Sequence, residues 1–324
     1  MQRKGHVSRN ISVLSELGIG IALTFEIILF AVLSPYFLTA DNLLNVSLQT
    51  SISAIIAIGM TFVILTAGID LSVGSLVALA GIVTTATLKV GLPPGLSLPL
   101  AMLTGLLAGG CSGMFAGFLI TKFRITPFIV TLALMTIWRG LSFVVTEGRP
   151  VWDLPPEFSL IASVRLAGIP VPTLVMLAAF LIAHVTLTRT RFGRYVYAVG
   201  GNTEAARLAG INTQKVLVTV YVISGVLTAC SAILLAARVN SGQPNAGIMY
   251  ELDAIAAVVV GGTSLFGGKG SVVGTLIGSF LIGVLRNGLN LLNVESYVQQ
   301  VVVGLVILLA VMIDQLRQQG GSRP

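Results

Sequence analysis

The chain has 324 residues, of which 55% are hydrophobic and only 10% are charged, and its mean hydropathy is +0.96. Soluble globular domains carry charge on about a quarter of their residues, so this composition excludes an ordinary soluble globule. The net charge of +7 would favour nucleic acid as the partner of a soluble protein. Here most basic residues lie in short segments between apolar stretches, as membrane orientation requires, so the sequence argues against nucleic-acid binding.

Apolar stretches of about 18 to 24 residues recur along the whole chain, which matches the roughly 20 residues that a helix needs to cross a bilayer. The first stretch is too long for a signal peptide and lacks a small-residue cleavage site, so we expect it to remain as a span. The sequence predicts an all-α polytopic membrane protein with about ten transmembrane helices and an internal pseudo-repeat. The predicted spans are 17–36, 44–66, 72–89, 95–120, 127–146, 168–188, 216–237, 252–263, 271–291 and 297–314.

Basic residues are divided unequally between the two sides of the membrane. With the N-terminus inside, thirteen fall on the cytoplasmic side and four, Lys89, Arg149, Arg165 and Arg238, on the other. Short cytoplasmic loops are enriched in Lys and Arg, so both termini are predicted in the cytoplasm, as tails 1–16 and 315–324 around a transmembrane domain of residues 17–314. The cytoplasmic set is Arg3, Lys4, Arg9, Lys122, Arg124, Arg189, Arg191, Arg194, Arg207, Lys215, Lys269, Arg317 and Arg323.

A few residues inside the predicted spans are unusual for a membrane interior. Glu26 lies near the middle of the first span, where a carboxylate must face protein or water or be protonated. It has either a functional role or a packing role against a neighbouring span, with Arg139 or Arg286 as candidate partners. Cys111 and Cys230 stand without a nearby histidine and are expected to be buried free thiols.

The segment Gly68–Ser75 joins the second and third spans and carries an acidic residue between two glycines. Because Ser72 can cap the following helix, the backbone is expected to be broken here rather than continuously helical. Irregular backbone at membrane depth is tolerated only where protein or a water-filled cavity surrounds it. Gly68, Asp70, Ser72 and Gly74 are therefore candidates for a translocation pathway or gate. The alternative is a tight cytoplasmic turn in which Asp70 and Ser72 cap the third span.

Four glycines occur at regular four-residue spacing in the fourth span, at 105, 109, 113 and 117. Such a stripe lets another backbone approach closely, either within the chain or at a subunit interface. Prolines mark the next elements: Pro127 suits the first position of a helix, whereas Pro150, Pro155 and Pro156 argue against a regular element through the middle of the outer loop 147–167.

The longest polar, basic segment between two apolar ones is 189–215, and it is expected to be a docking loop. Asn202 is a good N-cap, Glu204 would lie in the first turn of a helix, and Gly210 can adopt the left-handed conformation that ends one. The predicted helix has only about two turns, so it needs packing against its own domain or a partner to persist. The alternative is a solvated loop on the positive side of the membrane.

The last polar features flank the eighth span. Glu251 and Asp253 would lie in its first turn, where acids favour a helix N-terminus. The glycine-rich segment 261–271 is not a phosphate loop, because position 263 is Thr and position 270 is Gly. Without a metal-ligand cluster or hydrolase motif, the sequence gives little support to an enzyme, and no cofactor site is predicted in this chain.

Together, several segments resemble the permease subunits of bacterial ribose-type sugar ABC importers, which are related to branched-chain amino-acid permeases. The resemblance covers about residues 15–314. Its specificity comes from the order of the motifs rather than from any single one of them. These motifs are Gly68–Ser75, Thr126–Leu132, Gly200–Asn202 with Ala205–Ala206 and Gly210–Ile211, and Glu251–Ala257 with Gly261–Gly262.

The resemblance implies a homodimer or close heterodimer whose ten-span subunits surround a central path, embedded in the lipids of the bacterial cytoplasmic (inner) membrane. It also implies a cytoplasmic ATPase that binds ATP and Mg²⁺, and a periplasmic or lipid-anchored sugar-binding protein. The short helix would be the coupling helix that docks on the ATPase. Its expected contact residues are Asn202, Glu204, Ala205, Ala206, Arg207, Leu208 and Gly210.

The outer basic residues Lys89, Arg149, Arg165 and Arg238 are candidate contacts for acidic side chains of the binding protein, because opposite charges steer encounter. The motifs do not distinguish ribose from galactose, xylose or a furanosyl molecule as cargo. The alternative function is an ion-gradient-driven secondary transporter of a small polar solute, with Glu26 and Asp70 as its ion sites.

Overall fold

The computed structural model of the protein describes the backbone of residues 3–320 and the side chains of residues 18–93, 95–309 and 312. The side chains of Arg3, Lys4, Arg9, Arg317 and Arg323, which contributed to the predicted orientation, lie outside this part. Within residues 3–320 the elements are α1 (Arg3–Leu33), α2 (Ala40–Leu65), α3 (Val73–Leu88), α4 (Pro94–Phe123), α5 (Pro127–Thr146), α6 (Pro156–Ser163), β1 (Arg165–Leu166), β2 (Ile169–Pro170), α7 (Val171–Arg189), α8 (Arg191–Gly201), α9 (Thr203–Leu208), α10 (Thr213–Val239), α11 (Tyr250–Val260), α12 (Val272–Leu291) and α13 (Ser296–Gly320).

The chain is an all-α polytopic membrane protein, and each predicted span overlaps a helix. Among the residues that the structure describes, six helices are long and apolar enough to cross a membrane: α2, α4, α5, α7, α10 and α12. Shorter apolar segments lie in α1, α3 and α13. Helix α11 has 11 residues, which is about 16 Å of helix and well short of a bilayer core. The count of ten spans, the pseudo-repeat and the side on which the termini lie stay predictions.

Helix α2 forms the centre of the bundle and packs against α7, α10, α11 and α12. Its residues from Thr50 to Leu65 are almost all buried, including Ile55, Phe62 and Ile64. In a membrane, a helix that is apolar on all sides can face either lipid or other helices. The burial of α2, rather than its apolar run, therefore shows that it lies inside the bundle, and the lipid-facing positions belong to the outer helices.

The glycine stripe of α4 packs mainly against α10 of the same chain. A side chain at Gly109 would overlap the carbonyl of Gly225, and one at Gly113 would overlap the carbonyl of Tyr221. The stripe therefore serves packing within the chain, which was the first of the two roles expected from the sequence. Both cysteines are free, but Cys111 is exposed rather than buried, because it lies between Gly109 and Gly113 on the opposite face of the helix.

The bundle has two distinct ends. At one, here called the α6 end, Leu88 of α3 and Ala236 of α10 share an apolar cluster with Phe158 of α6. The prediction of an irregular outer loop was wrong in its middle, since Pro156 occupies the first position of α6, where the missing N–H costs nothing. At the opposite end, here called the α8 end, the Gly268 N–H donates to the Leu65 carbonyl at 2.9 Å.

Candidate functional site

The helices break between α2 and α3, as the sequence predicted, and the break encloses a buried carboxylate. Asp70 is 2% exposed. Its Oδ1 accepts hydrogen bonds from the Ser72 N–H at 3.0 Å and the Ser72 hydroxyl at 2.6 Å, and its Oδ2 accepts from the Ser224 hydroxyl of α10 at 3.2 Å. The prediction that the Ser72 side chain caps α3 was wrong, because its hydroxyl donates to Asp70 instead. Asp70 thus ties the break to α10.

Neighbouring helices hold the rest of the broken segment. The Ile69 carbonyl accepts hydrogen bonds from Thr131 of α5 at 3.2 Å and from the Tyr221 hydroxyl of α10 at 3.4 Å. Gly68 lies against that Tyr221 hydroxyl, so a side chain there would collide with it. The polar backbone of this segment is therefore satisfied by protein, which is the condition for irregular structure inside a membrane domain.

A second irregular segment, residues 240–249, follows α10 and returns into the bundle before α11 begins. Arg139 of α5 donates to the carbonyls of Pro244 at 2.7 Å and Ala246 at 2.8 Å, and more weakly to that of Gly74 at 3.4 Å. Since Arg139 lies well inside α5, the 240–249 segment reaches the interior of the bundle. The first turn of the short helix α11 is therefore held inside the bundle as well.

Two cavities flank the first turn of α11. One, here called the polar cavity, has a volume of about 260 Å³ and lies between α2, α11 and α12. The other measures about 170 Å³ and is lined by small residues of α3, α10 and the 240–249 segment. Tyr250 lines both. The polar side chains around the polar cavity are Gln49, Thr50, Ser53, Arg238, Tyr250, Asp253, Ser279 and Arg286.

The expected pairing of Glu26 with an arginine was wrong for both candidates. Arg139 binds backbone carbonyls, and Arg286 forms an ion pair with Asp253 at 2.5 Å. Glu26 is 8% exposed, and its Oε2 has no hydrogen-bond partner among the described residues. The partner of Glu26 depends on which helix faces α1. Helix α1 packs against α12, and the spacing of charges along the sequence does not reveal which of their positions meet.

The predicted short helix is present as α9, with the predicted ends. Asn202 accepts a hydrogen bond from the Ala205 N–H at 2.9 Å, and Gly210 has the left-handed φ of +84°. Glu204 pairs with Arg207 at 2.8 Å, both side chains being largely exposed.

The side chains of α9 face in two directions. Ala206 is buried in the core cluster of its own chain, so it is not available to a partner in this structure. Leu208 is 83% exposed, and Ala205 is exposed as well.

Sequence reasoning missed helix α8, which directly precedes α9. Phe192, Val196 and Val199 face the core, and their spacing of four and three residues is the signal that could have found it. A side chain at Gly200 would overlap the Leu65 carbonyl, and the Tyr197 hydroxyl donates to the Gly270 carbonyl at 2.9 Å. Helix α8 thus connects α9 to the end of α2, a few residues from Asp70.

The four basic residues assigned to the outer side all lie at the α6 end and are exposed. Lys89 follows α3, and Arg238 lies in the last turn of α10. The pairing of Val151 with Gly242 joins the loop that contains Arg149 to the segment after α10, and Arg165 lies in β1 just after α6. The structure therefore brings the four to one end of the bundle, and Arg238 also lines the polar cavity.

Helices that are broken inside a membrane bundle, together with a short exposed helix at one end, are typical of a membrane transport component. Residues 42–311 match the model of a family described as branched-chain amino acid transport system / permease component, and the chain belongs to this family.

Similar curated proteins include the ribose import permease proteins RbsC of Haemophilus influenzae and Bacillus subtilis. Each is 48% identical to this chain, and the matches cover 91% of both chains for the first and 94% of both for the second. The D-allose transport system permease protein AlsC of Escherichia coli is 40% identical over 91% of this chain and 90% of its own. No solved structure matches the chain significantly.

Proposed function

We propose that this chain is the transmembrane permease subunit of an ATP-driven ABC importer that carries ribose or a similar monosaccharide across the bacterial cytoplasmic membrane. One observation carries the proposal: the chain is 48% identical, over more than nine-tenths of both chains, to relatives named ribose import permease. Relatives named for D-allose and L-arabinose transport are less similar, at 40% and 36–37% identity. The order of similarity favours ribose over these sugars.

The chain would act in a complex of several subunits. Two permease subunits would enclose a central path, a cytoplasmic ATPase would bind ATP and Mg²⁺, and an extracytoplasmic binding protein would deliver the sugar. The permease itself would catalyse no bond change. Because the binding protein supplies selectivity, the path needs only weak affinity, and a tightly held sugar could not leave.

Helices α8 and α9 offer a route by which the ATPase can act on the path. The exposed Leu208 and Ala205 are available to an ATPase cleft, while Ala206 holds α9 to its own subunit. Helix α8 contacts the backbone of Leu65 and lies close to the break at Gly68–Ser72. A displacement of α9 would therefore reach the gate candidates Gly68, Asp70, Ser72 and Gly74 through packed backbone, which transmits small shifts well.

The exposed basic residues at the α6 end would contact acidic side chains of the binding protein. Rim charges act mainly on the association rate and its dependence on salt. Changing Lys89, Arg149 and Arg165 together to Gln should reduce uptake at low salt and flatten its salt dependence, whereas the same change at the exposed cytoplasmic-side Lys122 and Lys215 should not. Unaltered salt dependence in the triple variant would remove this role.

The test of the function is reconstitution in vesicles with the partner ATPase and the partner binding protein. Uptake of labelled D-ribose should require ATP and both partners and should be blocked by vanadate, but it should persist when ion gradients are collapsed. Uptake that needs neither the ATPase nor the binding protein, and that stops when the gradient is collapsed, would favour the ion-driven alternative at Glu26 and Asp70. Asp70 is 2% exposed and both of its oxygens accept hydrogen bonds from serines, so an ion could reach it only if the break between α2 and α3 opened.

A further inference from the structure

The irregular segment before α11 has one edge that the rest of the chain leaves exposed. This edge, here called the 245–252 edge, consists of Asn245, Ile248, Met249 and Leu252, and all four residues are exposed. Ile248 is 58% exposed. Met249 has the left-handed φ of +72°, so the backbone is not helical until α11 begins at the next residue.

Two helix lengths place this edge near the middle of the bilayer. Helix α11 rises about 16 Å before it ends at Val260, towards the α8 end. Arg139, which donates to the carbonyls of Pro244 and Ala246, lies about 18 Å along α5 from Pro127. Since the hydrocarbon core is about 30 Å thick, both lengths put the edge roughly halfway through it.

Lipid cannot cover this edge. Irregular backbone is tolerated at membrane depth only where protein surrounds it or where it lines a water-filled cavity. The side-chain amide of Asn245 would also be costly in hydrocarbon, which offers it no hydrogen-bond partner. On the buried side of the segment, protein meets this condition, because Gly247 lies against the backbone of Gly74 and against Val77. The exposed edge requires water or a second polypeptide.

A two-fold dimer would supply both of these. An interface around a two-fold axis places the same patch of each subunit opposite itself. Two copies of the edge would then enclose a space from which lipid is excluded. Behind the edge, the opposite charges of Arg139 and Glu251 interact and offset each other, so this wall suits a neutral polar solute better than an ion.

We propose that the 245–252 edge faces the same edge of a second copy of this chain across a water-filled gap, and that the gap is the path of the sugar. The second part rests on the proposed function, whereas the first does not. Asn245 is the hydrogen-bonding group that each subunit offers to the hydroxyl groups of the sugar. Ile248, Met249 and Leu252 form an apolar wall that does not hold the sugar tightly.

Single cysteines compare the edge with a surface that faces lipid. Ile248→Cys and Asn245→Cys are made after Cys111 and Cys230 are replaced by Ser, and Ile182→Cys is the matched control. Ile182 is likewise an isoleucine within the membrane domain and is 69% exposed, but it lies in the regular helix α7. A continuous apolar helix can face lipid at such a position.

The permease alone is reconstituted in vesicles, without sugar or the other subunits, and the reagents are present on both sides of the membrane. A charged methanethiosulfonate should react at positions 248 and 245 at least about ten-fold faster than at 182, because a thiol in hydrocarbon stays protonated and only the thiolate is a nucleophile. A bifunctional thiol reagent that can span a monosaccharide should join two subunits through position 248 or 245, but not through 182, into a dimer on a denaturing gel.

Three results would overturn the proposed position of the edge. Slow reaction at both 248 and 245, as at 182, would mean that lipid or packed protein covers it. Fast reaction without a cross-linked dimer would mean that water lies in front of the edge but that no second copy faces it. Cross-linking to the same extent at 182 would mean that the dimers arise from chance collisions.

Uptake by the full complex tests whether the gap is the path. Attachment of the charged methanethiosulfonate at position 248 should abolish D-ribose uptake, whereas the same treatment of Ile182→Cys should leave it unchanged. Unchanged uptake after labelling at 248 would show that the sugar takes another path, although the function stands. If the unmodified complex takes up no D-ribose, the proposed function itself has failed, while the cross-linking still decides which surface faces the second copy.

Discussion

At the scale of single residues, contacts between backbones decide where side chains are tolerated. Gly109 of α4 and Gly225 of α10 each lie against the carbonyl of the other, so a methyl group on either has no room. Gly140 of α5, in contrast, has nothing within 4 Å of the position that a Cβ would occupy. Gly109 and Gly140 both interrupt an apolar helix, but only Gly109 belongs to the regular glycine stripe of α4.

We therefore expect Gly109→Ala to destabilise the protein by about 1 to 3 kcal/mol, because overpacking forces the two helices apart. Gly140→Ala should be neutral, or slightly stabilising because Ala favours the helix. Thermal unfolding of the detergent-purified variants, followed by size-exclusion chromatography, measures the difference. Equal midpoints for the two variants would contradict the close contact of α4 with α10.

The charged side chain of Arg139 holds the backbone of the 240–249 segment in place. It donates to two carbonyls of the 240–249 segment, so we expect Arg139→Lys to keep the charge but lose one of these bonds, since an ammonium lacks the planar fork. The cost should be about 1.5 to 3 kcal/mol of local stability, as for hydrogen bonds to charged groups. A single cysteine at Gln243 should then react faster with a thiol reagent.

The matched control for Arg139→Lys is the same change at Arg149, which is exposed at the α6 end and close in sequence to α5. Arg149→Lys should leave the reactivity of the cysteine at position 243 as it is in the unmodified protein. A reactivity that is also unchanged in Arg139→Lys would show that the segment is held by other contacts.

At the scale of elements, helix α9 has one face buried in its own subunit and one exposed. A large side chain at Ala206 would therefore disturb the attachment of α9 to its own chain, which makes this position a poor probe of a partner. Leu208 is the better probe, because a Leu that is 83% exposed here would become buried in an ATPase cleft.

We expect Leu208→Asp to leave folding and insertion intact but to weaken assembly with the ATPase, because burying a Leu contributes about 1.5 to 3 kcal/mol. That corresponds to at least a ten-fold loss of affinity, measurable by titrating the purified ATPase onto the permease. Gln214→Asp is the control, an exposed position in the first turn of α10 where an acid suits the helix dipole. Equal affinity of the two variants would exclude α9 as the coupling element.

The sequence could predict those elements that are determined by residues close to them in the chain. The caps of α9 follow from Asn202 and Gly210, and the break before α3 follows from its glycines and Asp70, so these were placed well. Helix α8 was missed because its polar, basic composition hid the apolar spacing of Phe192, Val196 and Val199. The polar cavity could not be predicted, because Thr50, Asp253 and Arg286 come from three helices whose facing sides depend on packing.

At the scale of the whole molecule, the two ends of the bundle have different contents. The α6 end carries the four basic residues that were predicted to lie outside. The α8 end carries α8, α9 and, among the residues that the structure describes, most of the basic residues that were predicted to lie on the cytoplasmic side. This separation agrees with the alternation of predicted spans. Under the proposed function, the α8 end would face the ATPase and the α6 end would face the binding protein.

The orientation is tested by labelling single cysteines after Cys111 and Cys230 are replaced by Ser. Arg149→Cys and Lys89→Cys at the α6 end should react with an impermeant thiol reagent added to spheroplasts, because both positions are exposed and should face outwards. Arg194→Cys and Gln214→Cys at the α8 end should react only after the membrane is permeabilised.

Two labelled positions at each end guard against a local effect on the reactivity of one cysteine, and transport by each variant verifies that the orientation is native. Reaction of the cysteine at 194 or 214 from outside, in a variant that still transports, would place the α8 end outside the cell, where no ATPase could reach α9.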